Sequence, residues 1–294
     1  MKKKRKTFGK TNTVFAKITL LPSLAGVLIF FILPLFTVFY YSVVDNPISK
    51  EFVGLDNFKA IVVNNAFVTA AKNTAVLSLI TVPPAVILSM FLAMLMESSV
   101  PAKSVFRSIF LSPVMVPAAS VVLIWQVVFH YHGTLNSMLL DMFGIEPLDW
   151  LKSKYCLVVI ALLFLWKNLG YNMILFLSAL AGMPKDLLEV AELEGASKAY
   201  QFFHIKLRYL SPTIIFVTIL SMINSFKLFR EVYLLTGDYP YEGLYLLQHY
   251  MNNTFGTLDY QKLSSAAILM MIIMIVIVGT LIFVDSKYGE DVEE

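Results

Sequence analysis

Two sets of polar side chains carry whatever chemistry this chain performs. The first lies inside otherwise apolar stretches: Lys167, Asn168 and Asn172 in one, Asn224, Lys227 and Glu231 in another. The second is a short acidic segment, Glu189, Glu192 and Glu194, that runs into Gly195, Ala196 and Ser197. Covalent or metal chemistry has little to draw on. The four histidines (His130, His132, His204 and His249) form no helix-spaced pair. The one close set, His130-x-His132, falls where an apolar stretch ends and reads as an interfacial loop. A single cysteine, Cys156, excludes a disulfide within the chain and a thiolate metal cluster. No phosphate-cradling G-x-x-x-x-G-K-[ST] is present, so any ATP used must be bound by another chain, and no cofactor is expected in this one.

The elements that position these residues follow from composition. Of 294 residues, 58% are hydrophobic and only 15% charged, against roughly a quarter charged in a soluble chain. With 23 Phe, 14 Tyr and 3 Trp it is not disordered either. The solvent is a bilayer, and a helix crossing it needs about 20 apolar residues. Six stretches qualify: 18–41, 74–96, 108–129, 156–181, 210–233 and 264–284. The expected fold is therefore an all-α integral membrane protein of six transmembrane helices, since barrel strands would alternate in short segments. Residues 1–17 read as a basic N-terminus, 18–285 as the transmembrane domain and 286–294 as a tail.

An even number of spans puts both termini on one side, and Lys and Arg mark the cytoplasmic side. With the N-terminus inside, the inner segments hold 14 Lys and Arg and the outer ones five, so both termini are expected to be cytoplasmic. The basic run Lys2–Lys6 serves orientation and contact with membrane lipid, and no nucleic acid partner is expected. The first span, 24 residues long with no small-x-small site after it, reads as a retained anchor.

The inner loop 182–209 is more than a tether. Asp186 is placed to cap a helix starting at Leu187, with Glu189 completing a capping box. Leu187, Val190 and Ala191 share one face of it, and Gly195 stops it. Ser197 caps a second helix reaching about Arg208, with Phe202 and Ile205 on its apolar side, and Pro212 falls in the first turn of the next span. Two short helices at a fixed bend could rest on lipid headgroups or dock into a protein. Three glutamates on the first helix favour docking, because anionic lipid would repel them.

Here the sequence resembles a known family. Glu189-Val-Ala-Glu-Leu-Glu-Gly195-Ala196-Ser197, then Phe203-His-Ile205-Lys-Leu207 and Pro212, is similar to the EAA motif of the membrane subunits of binding-protein-dependent ABC importers. Phe52-Val-Gly-Leu-Asp-Asn-Phe58, Asn73-Thr74, Phe106-Arg107, Pro113, Pro117, Trp125, Trp166, Gly170, Met183-Pro184 and Phe226-x-x-Phe229-x-x-x-Tyr233-x-x-Thr236-Gly237 resemble the sugar-importer permeases. Glu194 stands where the family commonly has Asp, and Arg208 where it usually has Pro, which implies a less kinked exit from the loop. The resemblance implies a MetI-like type I permease subunit of the maltose or glycerol-phosphate kind in the bacterial cell membrane, a transporter subunit and not an enzyme. Its implied partners are a second permease subunit, two ATPase subunits that bind ATP and Mg, an extracytoplasmic solute-binding protein and a carbohydrate. The ATPase-coupling residues it implies are Glu189, Ala191, Glu192, Gly195, Ala196 and Ser197.

Polar residues inside spans face the bundle interior or water. A rise of about 1.5 Å per residue puts Lys167 near mid-membrane. Asn168 and Asn172 share a face, and Lys227 and Glu231, at i,i+4, are spaced to neutralise one another. Amides and paired charges suit sugar hydroxyls, so these residues with Asn224 are candidates for the cargo path. Interhelical hydrogen bonding explains the asparagines equally well, and snorkelling at the interface explains Lys227, Arg230 and Glu231. Glycerol phosphate would call for more cationic charge at mid-membrane than Lys167 alone offers. An ion-coupled secondary transporter is the alternative class; it would need carboxylates within spans, where only Glu231 is found.

Overall fold

The computed structural model describes residues 10–97 and 102–288. The basic run Lys2–Lys6 and residues 289–294 of the expected tail lie outside the described residues. With no water in the hydrocarbon layer, each apolar run satisfies its backbone by coiling into helix, and the described elements are helices joined by turns. They are α1 (residues 10–42, with a π turn at Leu28–Ile32), α2 (Asp56–Val62), α3 (Asn65–Glu97), α4 (Lys103–Met115), α5 (Ala118–Phe129), α6 (Thr134–Phe143) and α7 (Cys156–Gly182). There follow α8 (Lys185–Leu193), α9 (residues 198–209), α10 (Ser211–Lys227), α11 (Phe229–Thr236), α12 (Leu247–Gly256) and α13 (Tyr260–Tyr288). Among the described residues five helical stretches are long and apolar enough to cross a membrane, and six if the bent pair beginning with α4 counts as one span.

That bent pair corrects the expected third span. Residues 108–129 are not one rod: Lys103–Met115 and Ala118–Phe143 meet at 99°. Val116, ahead of Pro117, is extended (φ −79°, ψ 126°), as the proline ring demands of its predecessor. The second span is longer than its apolar run, because α3 begins at Asn65. Its added polar turns hold the chain between α11 and α12. The Asn73 side chain donates to the carbonyls of Glu242 (2.6 Å) and Tyr245 (3.1 Å), and the Thr74 hydroxyl accepts from the Leu247 amide (2.9 Å). The fifth span divides at Leu228 into α10 and α11 without a sharp bend.

The described chain divides into two compact units, residues 10–63 with 254–271, and 64–253 with 272–288. In the first, the resemblance segment Phe52–Phe58 is tied to the end of α1. Asn57 donates to the carbonyls of Ser42 (3.1 Å) and Val44 (2.8 Å), and Gly54 takes φ +59°. Asp45 gathers the turn by accepting from Ser49, Asn46 and the Glu51 amide. Chiefly through the Ser49 hydrogen bond, its carboxyl is held below the ordinary value. The apolar side chains of the first span from Leu20 to Tyr40 are largely exposed.

The second unit has its core between α3 and α7. Ala85, Ser89 and Ala93, spaced by four and all fully buried, give α3 a small-residue stripe, the kind of surface that lets membrane helices approach closely. Leu163, Phe164, Met173 and Phe176 are the buried face of α7. On another side α7 meets α4, where a Cβ at Gly170 would lie 1.8 Å from the Phe110 carbonyl oxygen. Only glycine fits that crossing.

Candidate functional site

The acidic loop forms two helices at a fixed bend. α8 starts at Lys185, with Pro184 in the N-cap position and no side-chain cap. This corrects the expected capping box. Asp186 sits in the first turn, where it favours the helix dipole, and Glu189 lies two residues beyond the position from which a capping box bonds back. The helix end is as expected. Gly195 takes φ +83°, its amide donates to the Glu192 carbonyl (3.1 Å), and the Ala196 amide reaches the Ala191 carbonyl (2.9 Å). That pair of bonds is the Schellman closure. Ser197 then caps α9: its hydroxyl accepts from the Tyr200 amide at 3.2 Å, and Gln201 donates to the Ala196 carbonyl at 3.0 Å.

α9 runs through Arg208 without a break and holds a π turn at Gln201–Lys206. Lys206 pairs with Glu97 at the end of α3 (2.5 Å), and Lys198 pairs with Glu192 (3.3 Å). Leu187, Val190 and Leu193 of α8 are exposed, Leu193 by 88%, and Glu189, Glu192 and Glu194 are exposed beside them. Ala191 and Ala196 are half-buried, Gly195 and Ser197 exposed. An unpartnered apolar strip edged by carboxylates is what this loop presents.

The second polar set is assembled by α7, α10 and α11. Glu231 is buried and ion-paired with Lys167, not with Lys227 as its spacing suggested. The span passes Leu228 without a sharp bend, but Lys227 is exposed while Glu231 is buried beside Lys167. Asn168 accepts from the Asn224 amide (2.9 Å) and donates to the Phe164 carbonyl (2.8 Å). Asn172, fully buried, donates to Ser221 (2.9 Å) while its Oδ1 has no partner. Ser78 and Ser225 bond across α3 and α10 at 2.8 Å.

Around these groups lies a cavity of about 400 Å³ lined by Lys167, Asn168, Tyr171, Asn224, Lys227, Arg230 and Glu231 among others. Every candidate named from the sequence for this region lines it except Asn172, which is buried and bonds across to Ser221 of α10. Tyr171 lines the cavity and Ser221 bonds Asn172, neither marked by the sequence pattern, and Arg230, read from the sequence as interfacial, lines the cavity as well. Only the arrangement of α7 against α10 and α11 places them.

Farther along α11, Leu235 and Thr236 border a second cavity of about 580 Å³, edged by Gln126, His130, Asp149 and Tyr241. His130 there accepts from the His132 amide (3.2 Å). Among the described residues no group of three His, Cys, Asp or Glu is placed to hold a metal ion. Against α11 also packs His249 of α12, with Phe229 and Tyr233 around its ring and Nδ1 accepting from the Leu246 amide (3.2 Å). Burial pushes its pKa down to about 4, with Asp238 opposing.

Residues 85–285 match the sequence model of the binding-protein-dependent transport system inner membrane component. The chain belongs to that family. It is 30% identical over 262 residues to the trehalose/maltose transport system permease protein MalF of Thermococcus litoralis, covering 87% of this chain and 88% of that one. It is 31% identical to the arabinooligosaccharides transport system permease protein AraP of Bacillus subtilis (73% and 69% covered). To the sn-glycerol-3-phosphate transport system permease protein UgpA of Pectobacterium atrosepticum it is 27% identical (92% and 94% covered). Its fold is similar to a chain of a bacterial ABC transporter that imports the acidic polysaccharide alginate, with TM-score 0.82, 20% identity, and 94% and 96% of the two chains covered.

The protein is thus an inner-membrane permease subunit of an ABC importer with a MetI-like helical fold, not an enzyme. The family assignment sets aside the ion-coupled secondary transporter.

Proposed function

We propose that the chain passes a sugar or oligosaccharide across the membrane in a complex with a second permease subunit, two ATPase subunits and an extracytoplasmic binding protein. The ATPase subunits would bind the ATP and Mg. The relatives' names support the cargo class, and they include both neutral sugars and charged solutes. The 14-to-five division of Lys and Arg supports cytoplasmic termini, and with them a cytoplasmic α8–α9 loop.

The observation that carries the coupling role is the bend at Gly195. Its two backbone bonds and the Ser197 cap hold α8 and α9 at one angle, so a push on α8 turns α9 with it. The exposed Leu187, Val190 and Leu193 would fill an apolar cleft on the ATPase, and Glu189 and Glu192 would meet its basic rim. The Glu97–Lys206 ion pair then carries the motion to α3, which packs along α7.

The test is Gly195→Asp in the reconstituted complex. A side chain is strained at φ +83°, and αL costs about 1–2 kcal/mol for a non-glycine residue. The variant is expected to insert and assemble yet to lose ATP-driven uptake. Undiminished uptake overturns the coupling role.

A further inference from the structure

We propose that the cavity between α7, α10 and α11 is selective for an anionic saccharide, one carrying a carboxylate or phosphate. The inference rests on the reading of this cavity as part of the cargo path.

Of its neutral hydrogen-bonding groups, Asn168 is engaged on both its nitrogen, by the Phe164 carbonyl, and its oxygen, by Asn224, which leaves the Tyr171 hydroxyl and the Asn224 amide oxygen. The amides that looked suited to sugar hydroxyls therefore act chiefly as helix contacts. The acid is engaged too: Glu231 is buried and paired with Lys167, and the two charges cancel. No other Asp or Glu lines the cavity. Lys227 and Arg230 remain, both exposed on its wall, and among the described residues neither has an ion-pair partner. The formal charge of the lining is +2.

Lys227 closes the 17-residue α10, about 24 Å along the span at 1.5 Å per residue. Uncompensated charge at that depth is expensive and faces water or a counter-charge. What the cavity offers a solute is mainly charge-assisted donation from a guanidinium and an ammonium, with few acceptors in return. A neutral sugar needs both donors and acceptors. A carboxylate or phosphate needs donors alone, and arginine meets either in a bidentate fork.

The experiment uses the assembled permease–ATPase complex in lipid nanodiscs, without the binding protein, so that protein's own selectivity does not enter. The probes are radiolabelled trigalacturonate and its carboxyl-reduced neutral counterpart, read by equilibrium dialysis at low salt. Trigalacturonate is expected to bind at least about tenfold more tightly. The preference is expected to fall to about one in the Lys227→Gln/Arg230→Gln double variant, to survive Lys227→Arg, and to be the same in zwitterionic and anionic lipid.

Equal or tighter binding of the neutral probe overturns the proposal, as does no binding of either probe or a preference that persists in the double variant. Loss of the second permease subunit from the double variant on gel filtration also overturns it, by assigning the two cations to that interface. A preference confined to zwitterionic lipid does so as well, by assigning them to headgroups. The Gly195→Asp test reads uptake and this one reads binding at rest, so coupling and cargo charge fail separately.

Discussion

The α8–α9 loop and the cluster between α7, α10 and α11 use the same residue types under opposite conditions. In the loop, backbone groups are satisfied locally by the Schellman bonds and the Ser197 cap, and the carboxylates project into solvent. In the cluster, side chains satisfy one another across helices, as Lys167 does Glu231 and Asn224 does Asn168. The loop is shaped so that its side chains stay available to a partner. The cluster engages most of its own and leaves Lys227 and Arg230 over. Substitutions in the cluster should therefore cost stability first, and those in the loop should cost transport first.

Lys167→Met makes the sharpest break. It leaves Glu231 buried without its counter-charge, and breaking such a pair costs about 3–5 kcal/mol. A fall in the thermal midpoint of the purified complex is expected, with most of it recovered in Lys167→Met/Glu231→Leu. A single variant as stable as the parent would mean that the pair is not desolvated.

His249 extends the comparison to acid pH. Its pKa falls from 6.5 to about 4 on folding, so the unfolded chain binds more protons between those values. The stability it contributes is whole above about 6.5 and is lost progressively as pH falls to about 4. His249→Asn is expected to flatten that part of the pH–stability curve; an unchanged slope would locate the titration elsewhere.

In the loop, Ser197→Ala removes a cap worth about 1 kcal/mol. Hydrogen exchange at Tyr200 is expected to quicken, and uptake to fall while ATP hydrolysis persists. The smallest effect on stability belongs to Glu189→Gln/Glu192→Gln, within about 0.5 kcal/mol for exposed positions. That variant is nonetheless expected to weaken ATPase association several-fold at low salt, with the difference fading as salt screens the contact. A loss of stability matching that of Lys167→Met would erase the distinction between the two regions.

Most of the spans were legible because an apolar run of the right length has no other stable form in lipid. The bend at Gly195 was legible too, since its bonds join residues three to five apart and need only a glycine and a serine in order. The start of α8 was misplaced by two residues: Asp186 has a cap's chemistry, but Pro184 takes that position. The third span was counted as one helix by its apolar length; Pro113 and Pro117 mark a bend in it but not its size, since membrane helices often accommodate proline. α3 does so, continuing as one helix through Pro83 and Pro84.

By itself the sequence determined the solvent, the helical class and the local geometry of the bend at Gly195, all consequences of forces acting within a few turns of chain. The tertiary structure alone decided which charges cancel. Lys227 lies four residues from Glu231, yet Lys167, 64 residues away, is its partner. A buried carboxylate is neutralised by whichever cation packing brings beside it, and nearness in sequence does not set that. The same packing engaged the asparagines and left Lys227 and Arg230 facing the cavity, and so gave it a sign.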